Sequence, residues 1–187
     1  NRNYRFVIQD GKSLKMLDSK LNTVKGFKRD KLNSKIKWPI KHVRILNKDY
    51  LLLVSKNNKP LILDRRGNIR IKLPENFTTS TNHFYENDGG IITINDLNQL
   101  VRIELNGKIS SKQLPDQKNM IHSNKNNLIV LSNGNITINN NDFKIPFGDF
   151  DDLNIKGSKN NTYFHFRDVN EKKSYLYNSN GMVSGFP

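Results

Sequence analysis

Three of the four histidines recur at nearly constant spacing: His42, His83 and His122 lie 41 and 39 residues apart. Imidazole ligates metals when neutral and donates to anions when protonated, so rings repeating at that interval could converge on one divalent metal or one anion. The competing reading is that each ring hydrogen-bonds within its own neighbourhood, because no carboxylate stands at a spacing that would orient the rings as ligands. His165 breaks the series.

Other candidate chemistry is sparser. The stretch GDFDDLN, Gly148 to Asn154, offers Asp149, Asp151 and Asp152, but it lacks the spaced side-chain oxygens, the glycine and the distal acid of a calcium cage. It is expected to be a solvated connection. With no cysteine in the chain, disulfides, thiolate metal sites and cysteine nucleophiles are all excluded. NDGG lacks the lysine and helix that would make it a phosphate loop. The glycosylation sequons at Asn76, Asn135 and Asn160 are a by-product of abundant asparagine. No cofactor motif is found, and no cofactor is expected.

Charge is the strongest compositional signal. The net charge is +14 over 187 residues, and the segment from Lys12 to Arg44 alone carries eleven Lys and Arg against Asp18 and Asp30. A polyanion patch at Lys28, Arg29, Lys31, Lys35 and Lys37, with Tyr4, Phe27 and Trp38 available for stacking, is the expectation for a nucleic-acid or polyanion ligand. Such charge without a recognition motif implies salt-sensitive, non-specific affinity.

The elements that must position these residues are strands. There is no alanine, the best helix former, while Asn is abundant and Val, Ile, Leu, Tyr and Phe supply most apolar side chains. The stretch LILDRRGNIRIKL, from Leu61, reads as apolar run, bend, apolar run. The same sentence recurs as LKMLDSKLNTVKGF from Leu14, LVRIELNGKISSKQL from Leu100, ITINNNDFKIPF from Ile136 and SYLYNSNGMVSGF from Ser174. Aligned, the bends place Leu21, Gly67, Gly107, Asp142 and Gly181 at equivalent positions, 46, 40, 35 and 39 residues apart. A hairpin bend explains Asp64 and Gly67 without a ligand, because such turns need positive φ.

A repeat of about 40 to 45 residues with several short strands is the pattern of a β-propeller blade. The bends LDRRGNI, ELNGKI and YNSNGMV resemble those of WD40-like and quinoprotein-like β-propellers, although the Gly-His and Trp-Asp marks of true WD40 blades are absent. That resemblance implies an all-β chain of about five four-stranded antiparallel blades, over residues 1–28, 38–73, 82–114, 119–147 and 151–187. The first copy lacks its innermost strand, so an open arc or a fragment of a longer bacterial propeller is expected, a closed ring being the alternative.

The resemblance further implies a non-catalytic interaction module that binds protein or glycan through loops, first among them Phe27 to Lys37 and Pro74 to Asn82. The enzyme alternative is a hydrolase or lyase working at the channel mouth with His42, His83 or His122 beside a carboxylate. No run approaches the roughly 18 apolar residues of a membrane span, and the N-terminal stretch has no signal-peptide core. The chain starts at Asn1 rather than Met and reads as a processed or excised piece; its compartment is left open, an extracytoplasmic one being slightly favoured for a bacterial source.

Overall fold

The computed structural model describes residues 4–27, 31–81, 83–115, 119–158 and 161–184, without the side chains of Trp38, Ser158 and Asn161. Every described regular element is a β-strand, and every strand pairing is antiparallel. Among the described residues no helix is long and apolar enough to cross a membrane.

The first sheet has two strands, β1 (Phe6–Asp10) and β2 (Ser13–Leu17), with Thr23 bridging to Leu17 beyond them. The second runs β3 (Ile36–Ile45), β4 (Lys48–Ser55), β5 (Pro60–Leu63) and β6 (Ile69–Ile71). The third is β7 (Tyr85–Asn87), β8 (Gly90–Ile94), β9 (Gln99–Ile103) and β10 (Ile109–Gln113). The fourth is β11 (Met120–Asn124), β12 (Asn127–Ser132), β13 (Asn135–Ile138) and β14 (Asn141–Lys144). The last is β15 (Phe150–Ser158), β16 (Asn161–Asp168), β17 (Ser174–Asn178) and β18 (Gly181–Met182). Each four-stranded sheet is a meander, its strands neighbouring one another in chain order.

Alternation along the strands makes the sheets stack. In β4, Leu51 and Leu53 pack toward Leu14 and Met16 of the first sheet, while Tyr50, Leu52 and Val54 pack toward Ile91, Val101 and Ile103 of the third. In β8, Ile91 faces the second sheet, and Ile92 and Ile94 face Ile121 and Val130 of the fourth. Ile129 and Leu131 of β12 then meet Phe164 and Phe166 of the last sheet. The core is therefore a series of apolar layers, one between each successive pair of sheets. The first strands also touch across sheets, β3 with β7, β7 with β11 and β11 with β15. Repeated antiparallel sheets stacked in this way are compatible with propeller-like blades.

The bends carry the repeat. Asp64 Oδ1 accepts from the backbone N–H groups of Arg66 and Asn68 at 2.8 and 3.0 Å. Asp18 Oδ1 does the same for Lys20 and Asn22, and Asn95 Oδ1 for Leu97 and Gln99. Positive φ falls at Leu21 (64°), Gly67 (82°), Gly107 (90°) and Gly181 (118°), four of the aligned positions. Asp142 departs from them: it pairs with Thr137 inside β14, and positive φ falls instead at Asn139 and Asn140. Two successive residues of that kind make the tight hairpin the right-handed strand twist favours.

Two irregular stretches, the second of them expected to be a solvated connection, are strand. Trp38 and Pro39 lie within β3, where the register shifts between Lys37 and Lys41. Proline has no N–H to give a ladder and is accommodated at such a break. Asp151 and Asp152 likewise lie in β15, at a register shift between Asp151 and Asn154.

Candidate functional site

The inner edge of the stack gathers a small polar cluster. Lys41, the first paired residue after the irregularity in β3, projects over Tyr85, its Nζ 4.3 Å from the ring centroid. His83, immediately ahead of β7, stands edge-on to the same ring, its Nδ1 3.5 Å from the Tyr85 hydroxyl oxygen. His122 of β11 covers Tyr85 at 4.7 Å between centroids. His122 Nδ1 lies 3.0 Å from the Leu153 carbonyl oxygen of β15. A carbonyl only accepts, so Nδ1 carries the hydrogen and Nε2 is left for another partner.

The electrostatics follow from crowding. Burial lowers the pKa of the Lys41 ammonium and raises that of the Tyr85 phenol. His83 is held below its ordinary value, first by burial and then by the charge of Lys41. For His122 burial is the largest influence; the Leu153 carbonyl opposes it, and Lys41, His83 and Lys156 reinforce it. The charged groups with the largest influence on the two rings are cations.

Of the three recurring histidines, two come together here, and the third group is a lysine. His42 follows Lys41 directly, and adjacent strand residues face opposite ways. It turns away to Asp49 across the β3–β4 ladder, Nε2 to Oδ1 at 3.0 Å. Among the described residues no three His, Cys, Asp or Glu lie together as a metal site would require. Tyr85 stands two places beyond His83, at the start of β7, so that spacing was a signal for it; Leu153 acts through its backbone and left none.

A second feature lies where His42 points. A cleft of about 600 Å³ between β1 and the β3–β4 hairpin is lined by Val7, Met16, Ile40 and Leu51 together with His42, Asp49, Arg5 and Arg65. Arg65 comes from the bend of the second repeat, so that bend is both a turn and part of this wall. Among the described residues β1 pairs with β2 alone, whereas β4, β8, β12 and β16 are each flanked on both sides. Phe6 and Ile8 are correspondingly 49% and 38% exposed.

The other predicted positions are dispersed. Lys31 and Lys35 are exposed. Lys37 reaches across the stack, its Nζ donating to Asn58 Oδ1 at 2.6 Å and to the Ser80 carbonyl at 2.9 Å. Lys28 and Arg29 lie outside the described residues. Asp152 Oδ1 accepts from Asn154 Nδ2 at 2.6 Å, and its Oδ2 is 3.9 Å from His165 Nδ1, so its neighbours are its own strand and the next. Asn76 is exposed in the connection after β6, Asn135 opens β13, and Asn160 lies outside the described residues.

The class of protein this fold defines is an all-β repeat of stacked antiparallel sheets, four of them four-stranded among the described residues. No protein-family model matches the chain, and no curated protein matches it. Among solved structures, a protein of unknown function from Bacteroides caccae is similar, at 12% sequence identity and a TM-score of 0.46, covering 96% of this chain and 76% of that one.

Proposed function

We propose that the chain is a β-propeller-like, non-catalytic interaction module whose first sheet takes an extended polypeptide segment. The observation that carries this is the edge of β1 that no described strand pairs with, next to the 600 Å³ cleft. In the other sheets the strand equivalent to β1 has a neighbour on that side. An added strand gains main-chain hydrogen bonds along β1, while alternate side chains enter the cleft and confer selectivity. Val7, Met16, Ile40 and Leu51 supply an apolar floor, and Arg5 and Arg65 favour an acidic residue at its rim. Protein, rather than glycan, is the ligand class this geometry favours, because a glycan makes no use of an open strand edge.

Panning a displayed library of short peptides against the chain, followed by amide exchange, tests the reading. Bound peptides with alternating apolar residues should slow exchange along β1, and Val7→Arg should release them. Binders that leave β1 exchange untouched, or glycan-array ligands in the absence of any peptide ligand, would refute it.

A second reading draws on His42 and Asp49 in the same cleft. A carboxylate that fixes one imidazole tautomer makes a general base, as a propeller hydrolase or lyase would need. Turnover of an ester, glycoside or uronide panel that disappears in His42→Gln would favour this reading; turnover unchanged in that variant would remove it.

A further inference from the structure

The cluster at the inner edge is separate from the cleft, because Lys41 and His42 leave β3 on opposite faces. Its inventory is one-sided. β3 contributes the Lys41 ammonium, β7 the Tyr85 hydroxyl with His83 ahead of it, β11 the His122 ring, and β15 the nearby charge of Lys156. The described neighbours of the two imidazoles are the Lys41 and Lys156 ammonium groups, the Tyr85 ring and hydroxyl, and the Leu153 carbonyl engaged with His122 Nδ1. Positive groups held close together cost energy that an arriving anion relieves.

The geometry points to an oxyanion-binding site: we propose that Lys41, His83 and His122 together hold a carboxylate, sulfate or phosphate group of a ligand at the convergence of β3, β7 and β11. Lys41 is drawn there as a point charge and swings off the Tyr85 ring toward the oxygen atoms. His122 meets the anion through Nε2, the nitrogen its bond to Leu153 leaves over, and only the protonated ring donates from that position. Binding therefore takes up protons, and affinity rises as the pH falls toward the range where the imidazoles charge. Lys41 and Lys156 compete with that protonation until the anion arrives, which makes proton and anion mutually supportive ligands.

Thermal unfolding in sodium sulfate against sodium chloride at matched ionic strength, at about pH 6 and about pH 8, reads the coupling. Sulfate stabilises folded proteins generally by exclusion, and that part is common to all variants and both pH values. The site adds a part that is larger at the lower pH, corresponding to affinity at least about fivefold tighter there, and that is lost in Lys41→Gln and reduced in His83→Gln. A parallel series in acetate separates the classes: a response to both anions assigns carboxylate ligands, and a response to sulfate alone assigns sulfate or phosphate. Sulfate should also raise the His122 imidazole pKa in an NMR titration of the unmodified chain, which keeps the test independent of how the variants fold. Identical increments in wild type and variants with no pH dependence, or a His122 titration that sulfate leaves in place, would overturn the assignment. Peptide binding at the cleft is unaffected by Lys41→Gln, so the two sites fail or stand separately.

Discussion

His122 and Tyr85, on neighbouring first strands of two different sheets, lie 4.7 Å apart between ring centroids, with His122 anchored through Nδ1 to the Leu153 carbonyl of a third. One imidazole thus links the inner edges of the last three sheets. Its protonation state is coupled to the packing of the stack, because the charged ring is disfavoured by burial and by the neighbouring cations.

The pH dependence of stability follows from the direction of those shifts. The folded chain holds His83 and His122 below the value of 6.5 that an unperturbed histidine has. On acidification the unfolded chain takes up these protons first, so the stability is complete above about pH 6.5 and declines as the pH falls through the folded-state pKa values. Melting followed by circular dichroism should show the midpoint dropping between about pH 7 and pH 5, with a shallower slope in His122→Gln. An equal slope in that variant would place the acid sensitivity elsewhere.

The repeated bends differ in how well their residue suits positive φ. Leu21, at φ 64° and 68% exposed, occupies the position filled by Gly67 at φ 82° in the next copy. A side chain in that region costs about 1–2 kcal/mol, and glycine gives back about 0.5–1 kcal/mol in unfolded-state entropy. Leu21→Gly is expected to raise stability by up to about 1 kcal/mol, and Gly67→Ala to lower it by a similar amount. Urea titrations of the two variants, read as opposite midpoint shifts, check this.

The strands and bends were legible in the sequence because both signals are local. Alternation sets which residues face inward, and Asn, Asp and Gly mark where the chain reverses. The departures arise where tertiary pairing recruits residues the local code assigns elsewhere. Pro39 has no N–H to give a ladder, yet the pairing resumes beyond it at Lys41. Asp151 and Asp152 read as solvated loop, yet β15 runs through them with a register shift. At the inner edge the forty-residue period identified two of the cluster's histidines, His83 and His122. It could not tell whether Lys41 or His42 faces Tyr85, because that phase is set by the irregularity just before Lys41.

Lys35 and Lys37, adjacent in the basic segment, should separate affinity from stability. The Lys35 side chain is exposed, whereas the Lys37 ammonium holds Asn58 and the Ser80 carbonyl together. Lys35→Gln is expected to elute from heparin at lower salt with an unchanged melting midpoint. Lys37→Gln should lose about 0.5–1.5 kcal/mol of stability through its hydrogen bonds. Parallel heparin elution and melting curves distinguish the two, and an unchanged midpoint for Lys37→Gln would count against its bridging role.

The apolar layers predict where truncation is most damaging. Leu52 has 0% exposure and lies in the layer between the second and third sheets. Leu52→Ala removes buried methyl groups and leaves a void, costing about 2–5 kcal/mol. Leu97, at 71% exposure in the bend between β8 and β9, provides the contrast. Its alanine variant should stay within about 0.5 kcal/mol of the parent in the same denaturant series.

Gly148, just ahead of the last sheet, closely approaches Asp168 at the end of β16. A Cβ at Gly148 would run into the Asp168 carboxylate and stand 3.1 Å from Phe150 Cε1. Asp168 has no room to retreat: it is 1% exposed, and its Oδ1 accepts from the backbone N–H groups of Asn170 and Glu171 at 2.9 and 3.0 Å, holding the turn that leads to β17. Gly148→Ala should therefore cost about 1–3 kcal/mol by overpacking, although alanine suits the backbone conformation there. Asp168→Ala alone should also destabilise, because two turn donors lose their acceptor. In the double variant the clash has been removed along with the carboxylate, so the combined loss should be smaller than the sum of the single losses. Strict additivity in that cycle would mean that Gly148 is required for a reason other than its approach to Asp168.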